Sequence, residues 1–137
     1  MSQYMLLVYE EELEPAGQAE REKVTPLLLE LHASLRDAGL LGAVRRLRPT
    51  ASATSVRVRA GQTEITDGPF ALTKEVLAGY YVLECADLDE ALKQAARLPM
   101  APWATIEVRP VMSAEEWLNT ARRAGVDLSD EDVRNLA

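Results

Sequence analysis

Apolar and polar residues follow two alternating periods along this chain. Tyr4 to Tyr9 (YMLLVY) is an unbroken apolar run closed by acids, which predicts a strand buried on both faces. Glu10 to Gly17 is acidic, contains Pro15 and Gly17, and reads as a loop. From about Ala19 to Ala38 the period becomes helical: Val24, Leu27, Leu28, Leu31, Leu35 and Ala38 share one stripe, with most charged residues outside it. Pro26 interrupts that stripe. Either it disturbs one long helix, the reading favoured here, or Thr25 caps a fresh start with Pro26 at its first position. Gly39 is placed to end the helix in a left-handed cap.

Val44 to Leu47 reads as a short strand closed by Pro49. Thr54 to Arg59 alternates, Val56 and Val58 on one face and Arg57 and Arg59 on the other. With a turn at Ala60-Gly61-Gln62 and a return over Thr63 to Thr66 it predicts a hairpin. The next four residues, Asp67-Gly68-Pro69-Phe70, are turn chemistry: Asp bonds nearby backbone, Gly accepts positive φ, and Pro fixes φ. Phe70 is expected to plug this loop into the protein body. Thr73 to Leu77 reads as a short helical turn, and Gly79 to Cys85 (GYYVLEC) as the second strong strand. Asp87 and Glu90 form a capping pattern for a helix to about Leu98, with Leu88, Ala91, Leu92, Ala95 and Ala96 as its buried stripe and Pro99 as its stop. Thr105 to Val111 predicts the last core strand, Ile106 and Val108 alternating with Glu107 and Arg109. Ser113 and Glu116 cap a further helix that ends near Gly125, and Ser129 signals a short terminal one.

The order is strand-helix-strand twice, with a hairpin inserted between the halves. That predicts an α+β fold: a ferredoxin-like antiparallel sheet with helices on one face. The other face keeps apolar positions, so a homodimer is expected to cover it. Residues 1–112 form the expected domain and 113–137 a C-terminal helical extension.

Net charge is −7, from 15 basic and 22 acidic residues, which disfavours binding to a nucleic-acid backbone. The apolar run near the N-terminus is too short for a membrane span or signal peptide. Cys85 is the only cysteine, so no intrachain disulfide forms and a reducing cytoplasm is the expected compartment.

Several stretches resemble the DGPF-type branch of the YCII-related family: MLLVYE, SVRVRAGQTEITDGPF, KEVLAGYYVLECADLDEALKQAARLP and IEVRPV, together covering about residues 4 to 111. The resemblance implies a dimeric α+β barrel, in which two ferredoxin-like sheets close face to face. It also implies a cleft where a His of the first helix and an Asp before a Pro act as an acid–base pair. Aligned on the Gly that ends the helix, those positions hold Leu28 and Leu98 here, so both residues are missing. Members of this branch are also commonly encoded beside, or fused to, extracytoplasmic-function sigma factors, which implies a stress-linked regulatory role as the alternative to catalysis.

Read from the residues themselves, the candidates are few. Asp67, in the DGPF loop at a strand end, either holds the turn or serves as a general base. His32, the only histidine, sits at the edge of the apolar stripe, where it is either a satisfied structural residue or a group facing a cleft. Tyr80 and Tyr81 point to opposite sheet faces, as core residues or as ligand-facing phenols. Trp103 either walls a pocket or stiffens its connector. Neither a paired metal motif nor a phosphate loop is present, so no metal or cofactor is expected. The reading is a small-molecule-binding protein, with Asp67, His32 and Tyr81 as candidate catalytic residues for cofactor-free acid–base work and Phe70, Tyr80 and Trp103 as ligand contacts.

Overall fold

In the computed structural model, which describes residues 1–136, the long apolar run becomes a central strand. This strand, β1 (Ser2–Glu11), pairs with β5 (Glu75–Cys85) on one side and β6 (Thr105–Pro110) on the other. A fourth strand, β2 (Leu41–Arg46), flanks β5, giving the order β2-β5-β1-β6 with every pairing antiparallel. Two helices, α1 (Pro15–Glu22) and α2 (Thr25–Asp37), link β1 to β2, and α3 (Leu88–Ala96) links β5 to β6. Each crossover skips one strand position, which the other half of the chain fills. The sheet ends in two edges, so one chain forms an open sheet rather than a barrel.

The core lies between the helices and one face of the sheet. Tyr4, Leu6 and Val8 of β1 and Tyr81, Leu83 and Cys85 of β5 meet Leu31 and Leu35 of α2, Ala91 and Ala95 of α3, and Leu98. Leu6, Leu35 and Leu83 are almost fully buried, each burial stabilising by roughly 1.5–3 kcal/mol. On the other face, Met5, Leu7, Tyr9, Tyr80 and Val82 are only half-buried. Leu88, Leu92 and Ala96, expected in the buried stripe of α3, are exposed; the helix packs through Ala91 and Ala95, small residues that allow close approach to the sheet.

The predicted long helix is two helices. Pro26 has no N–H to give the Glu22 carbonyl, and the Thr25 hydroxyl donates to that carbonyl instead, at 2.6 Å. Lys23 and Val24 stay in the right-handed helical region, so the chain passes from α1 to α2 by a short offset. The expected loop over Glu10 to Gly17 is also shorter than read, since β1 runs to Glu11 and α1 starts at Pro15. Gly39 (φ 74°) ends α2 as expected, with the Leu40 N–H donating to the Leu35 carbonyl at 2.9 Å. Asp87 caps α3 by accepting from the Glu90 N–H at 2.9 Å, and Glu90 accepts from the Ala86 N–H at 2.7 Å.

The inserted hairpin forms as β3 (Thr54–Arg59) and β4 (Gln62–Asp67), which pair only with each other. Ala60 (φ 50°) and Gly61 (φ 74°) make a two-residue turn whose positive dihedrals match the strand twist. Two expectations next to it fail. Phe70 is 91% exposed and Leu72 94%, so neither plugs the loop into this chain. Thr73 to Leu77 holds no helical turn: β5 already begins at Glu75, because β1 offers pairing partners as far as Glu11. Beyond β6, α4 (Ala114–Arg123) and α5 (Asp130–Leu136) follow, each with a serine cap, Ser113 and Ser129. No helix among the described residues is long and apolar enough to cross a membrane.

Candidate functional site

A cavity of about 130 Å³ lies between the α1–α2 segment and the sheet. Local irregularities at two places border it. The β1–β5 register shifts between Val8 and Tyr9, leaving Ala78 without a partner on β1, and the break between α1 and α2 brings Val24 and Thr25 to the lining. Val8 and Val44 of the sheet, Leu28 of α2 and Met100 make most of its walls apolar.

His32 and Tyr81 meet in this cavity. The Nε2 of His32 lies 2.7 Å from the Tyr81 hydroxyl, and the rings pack edge-on with centroids 5.3 Å apart. Either the phenol donates to Nε2, or Nε2–H donates to the phenol oxygen, depending on the imidazole tautomer. Burial, helped by the Arg36 guanidinium, lowers the His32 pKa below its ordinary 6.5. Burial also pushes the Tyr81 phenol up to about 12. Around neutral pH both groups are therefore uncharged: one offers a proton, the other a lone pair.

Charged groups gather at the mouth. The Trp103 indole N–H donates to a Glu10 carboxylate oxygen at 3.0 Å, and the Arg21 guanidinium sits 5.5 Å from the Trp103 ring centre. Arg21 also donates to the Glu11 carbonyl at 2.8 Å. Glu22, at the end of α1, faces Arg46, at the end of β2, across 3.3 Å. A second cleft of about 430 Å³ opens beyond this pair and shares Glu10, Gln18, Glu22, Arg46 and Ala78 with the inner cavity.

Of the candidates read from the sequence, the structure brings four to the cavity: His32, Tyr81, Trp103 and Tyr80. Tyr80 pairs with Leu7 and Arg45 on the sheet and alternates with Tyr81, so it contributes from the strand's far side. Asp67 and Phe70 are elsewhere. Asp67 is the exposed last residue of β4, opposite Thr54, and neither residue lines the cavity. Glu10, Arg21, Glu22 and Arg46 were not anticipated, and nothing in their spacing joins residue 10 to residue 103 or residue 22 to residue 46. Among the described residues, no three His, Cys, Asp or Glu side chains converge as a metal set.

The position that the family resemblance assigns to a histidine, Leu28, lines this same cavity one helical turn before His32. Leu98, at the position of the family's Asp, is 2% exposed and part of the core. The model of the YCII-related domain matches residues 2–117. An uncharacterized protein of Rhizobium meliloti (strain 1021) is 43% identical over 112 residues, covering 79% of this chain and 90% of that protein. Sequence and helix position thus agree, even where the acid–base residues differ: the chain belongs to the YCII-related family.

Proposed function

We propose that this protein binds a small molecule, with its apolar part in the cavity under α2, and moves a proton on it without a cofactor. The observation that supports this most is the 2.7 Å pair of His32 and Tyr81, held in an apolar space. A ligand carbonyl or hydroxyl that reaches the pair finds a phenol able to donate to a developing oxyanion. With Nε2–H donating to the phenol oxygen, the phenol proton is free for the ligand, and the imidazole accepts the proton removed from carbon or oxygen on Nδ1. His32, and not Asp67, takes the base role, since Asp67 is not among the residues that line the cavity. Trp103, tied to Glu10, walls the entrance.

A fragment screen by ligand-observed NMR tests this reading. Small neutral aromatics and ketones should bind the protein measurably, and Tyr81→Phe and His32→Ala should each weaken that binding several-fold. Absence of binding, or binding indifferent to both substitutions, counts against the site.

The half-buried apolar sheet face supports a homodimer built as a dimeric α+β barrel of two ferredoxin-like sheets. Light scattering that finds a single subunit at micromolar concentration would refute it. The exposed Phe70 and Leu72 also favour a second reading, in which this arm docks on a sigma factor. Co-purification lost on Phe70→Ser would support that reading, and a failure to associate would remove it. The single cysteine, buried at Cys85, fits a reducing cytoplasm.

A further inference from the structure

The inner cavity and the outer cleft are two parts of one site, and the wall between them is chemically informative. Glu22 and Arg46 line both spaces. Their contact, at 3.3 Å, is longer than the roughly 2.7–2.9 Å of a tight charged hydrogen bond, and both side chains are at least half-exposed. No second hydrogen bond pins the Glu22 carboxylate to the Arg46 guanidinium, and α1, which carries Glu22, contributes no buried residue to the core. Such a pair separates at little cost. A ligand bearing one charge engages one partner and leaves the other to water. A ligand bearing both charges satisfies each.

We infer that the ligand is a zwitterion of the α-amino-acid type, with its ammonium on Glu22, its carboxylate on Arg46 and its side chain in the cavity that ends at His32 and Tyr81. This rests on the small-molecule reading of the cavity above and specifies its ligand class. Size sets the side chain. A cavity of about 130 Å³ is close to the roughly 150 Å³ that holds benzene, so one ring fits. A hydroxyl on that ring meets the His32–Tyr81 pair, whose two neutral groups supply a donor and an acceptor. Taken together, the two spaces are lined by Glu10, Glu11, Glu12 and Glu22 against Arg21, Arg45, Arg46 and Arg48, so neither sign dominates the site as a whole. A zwitterion is therefore neither drawn in nor repelled by net charge, and discrimination falls to the Glu22–Arg46 pair.

Four probes that share one phenol ring test this by calorimetry and ligand-observed NMR: p-cresol, tyramine, 3-(4-hydroxyphenyl)propionate and L-tyrosine. L-Tyrosine should bind at least about tenfold more tightly than the amine or the acid, a ratio that corresponds to about 1.4 kcal/mol. Glu22→Gln should erase its advantage over the acid, and Arg46→Gln its advantage over the amine, each ratio read against p-cresol binding in the same variant. If p-cresol binds in a Tyr81-dependent way but the three charged probes bind alike, or one singly charged probe wins, the zwitterion inference is overturned and the cavity reading stands. If none of the four binds, both fall.

Discussion

Replacing Tyr81 by Phe removes one oxygen and leaves the ring where it is, so its cost isolates the bond to His32. Tyr81 is 3% exposed and packs in the core with Val8 and Leu83, contacts that Phe preserves. Truncation to Ala would also lose that packing, roughly 3–5 kcal/mol. A net hydrogen bond is worth about 0.5–1.5 kcal/mol, and the half-buried His32 can recover part of this from water. The expected loss is therefore about 1 kcal/mol, read as a lowered urea midpoint at unchanged slope and fixed protein concentration. The same sample should show altered imidazole nitrogen shifts for His32, the one histidine in the chain. A loss above about 3 kcal/mol would mean that the hydroxyl holds more than His32. A loss near zero with His32 unmoved would mean that the bond does not form in solution.

Other consequences follow from the same groups and from the core. With the folded imidazole of His32 held below its ordinary 6.5, the unfolded chain binds the proton first as pH falls. Stability should drop as pH falls below that value, level off beneath the folded pKa, and lose this component in His32→Gln; urea melts across the range check it. Absorbance at the phenolate band should show a tyrosine step near pH 12, and Tyr81→Phe should delete that step. Leu83→Ala, at a fully buried site, should cost about 2–5 kcal/mol in chemical denaturation. Asp87→Ala, which removes the α3 cap, should cost roughly 1 kcal/mol in the same assay.

Much of this fold is legible in the sequence because its strands are strongly apolar and its helices carry explicit caps. Tyr4 to Tyr9 and Gly79 to Cys85 fall in β1 and β5, and Asp87, Ser113 and Ser129 stand just before the helices they cap. Misreadings cluster where long-range pairing overrides local chemistry. Glu75 to Leu77 joins β5 because Tyr9 to Glu11 need partners across the sheet, a demand that no local window contains. A turn that ends in an aromatic reads as a plug, yet Phe70 is 91% exposed on this chain. The site was half visible. His32 and Tyr81 stood out separately as residue types, but their contact joins positions 49 residues apart through the packing of α2 on the sheet. Glu22 and Arg46 lay hidden among ordinary surface charges, since only the fold sets the end of α1 beside the end of β2.

The single histidine makes one measurement decisive. Titrating p-cresol into the isotope-labelled protein should move the His32 ring resonances along a saturable curve whose midpoint matches the calorimetric affinity. Saturable binding that leaves those resonances still, or no binding at all, would contradict a ligand site built on His32 and Tyr81.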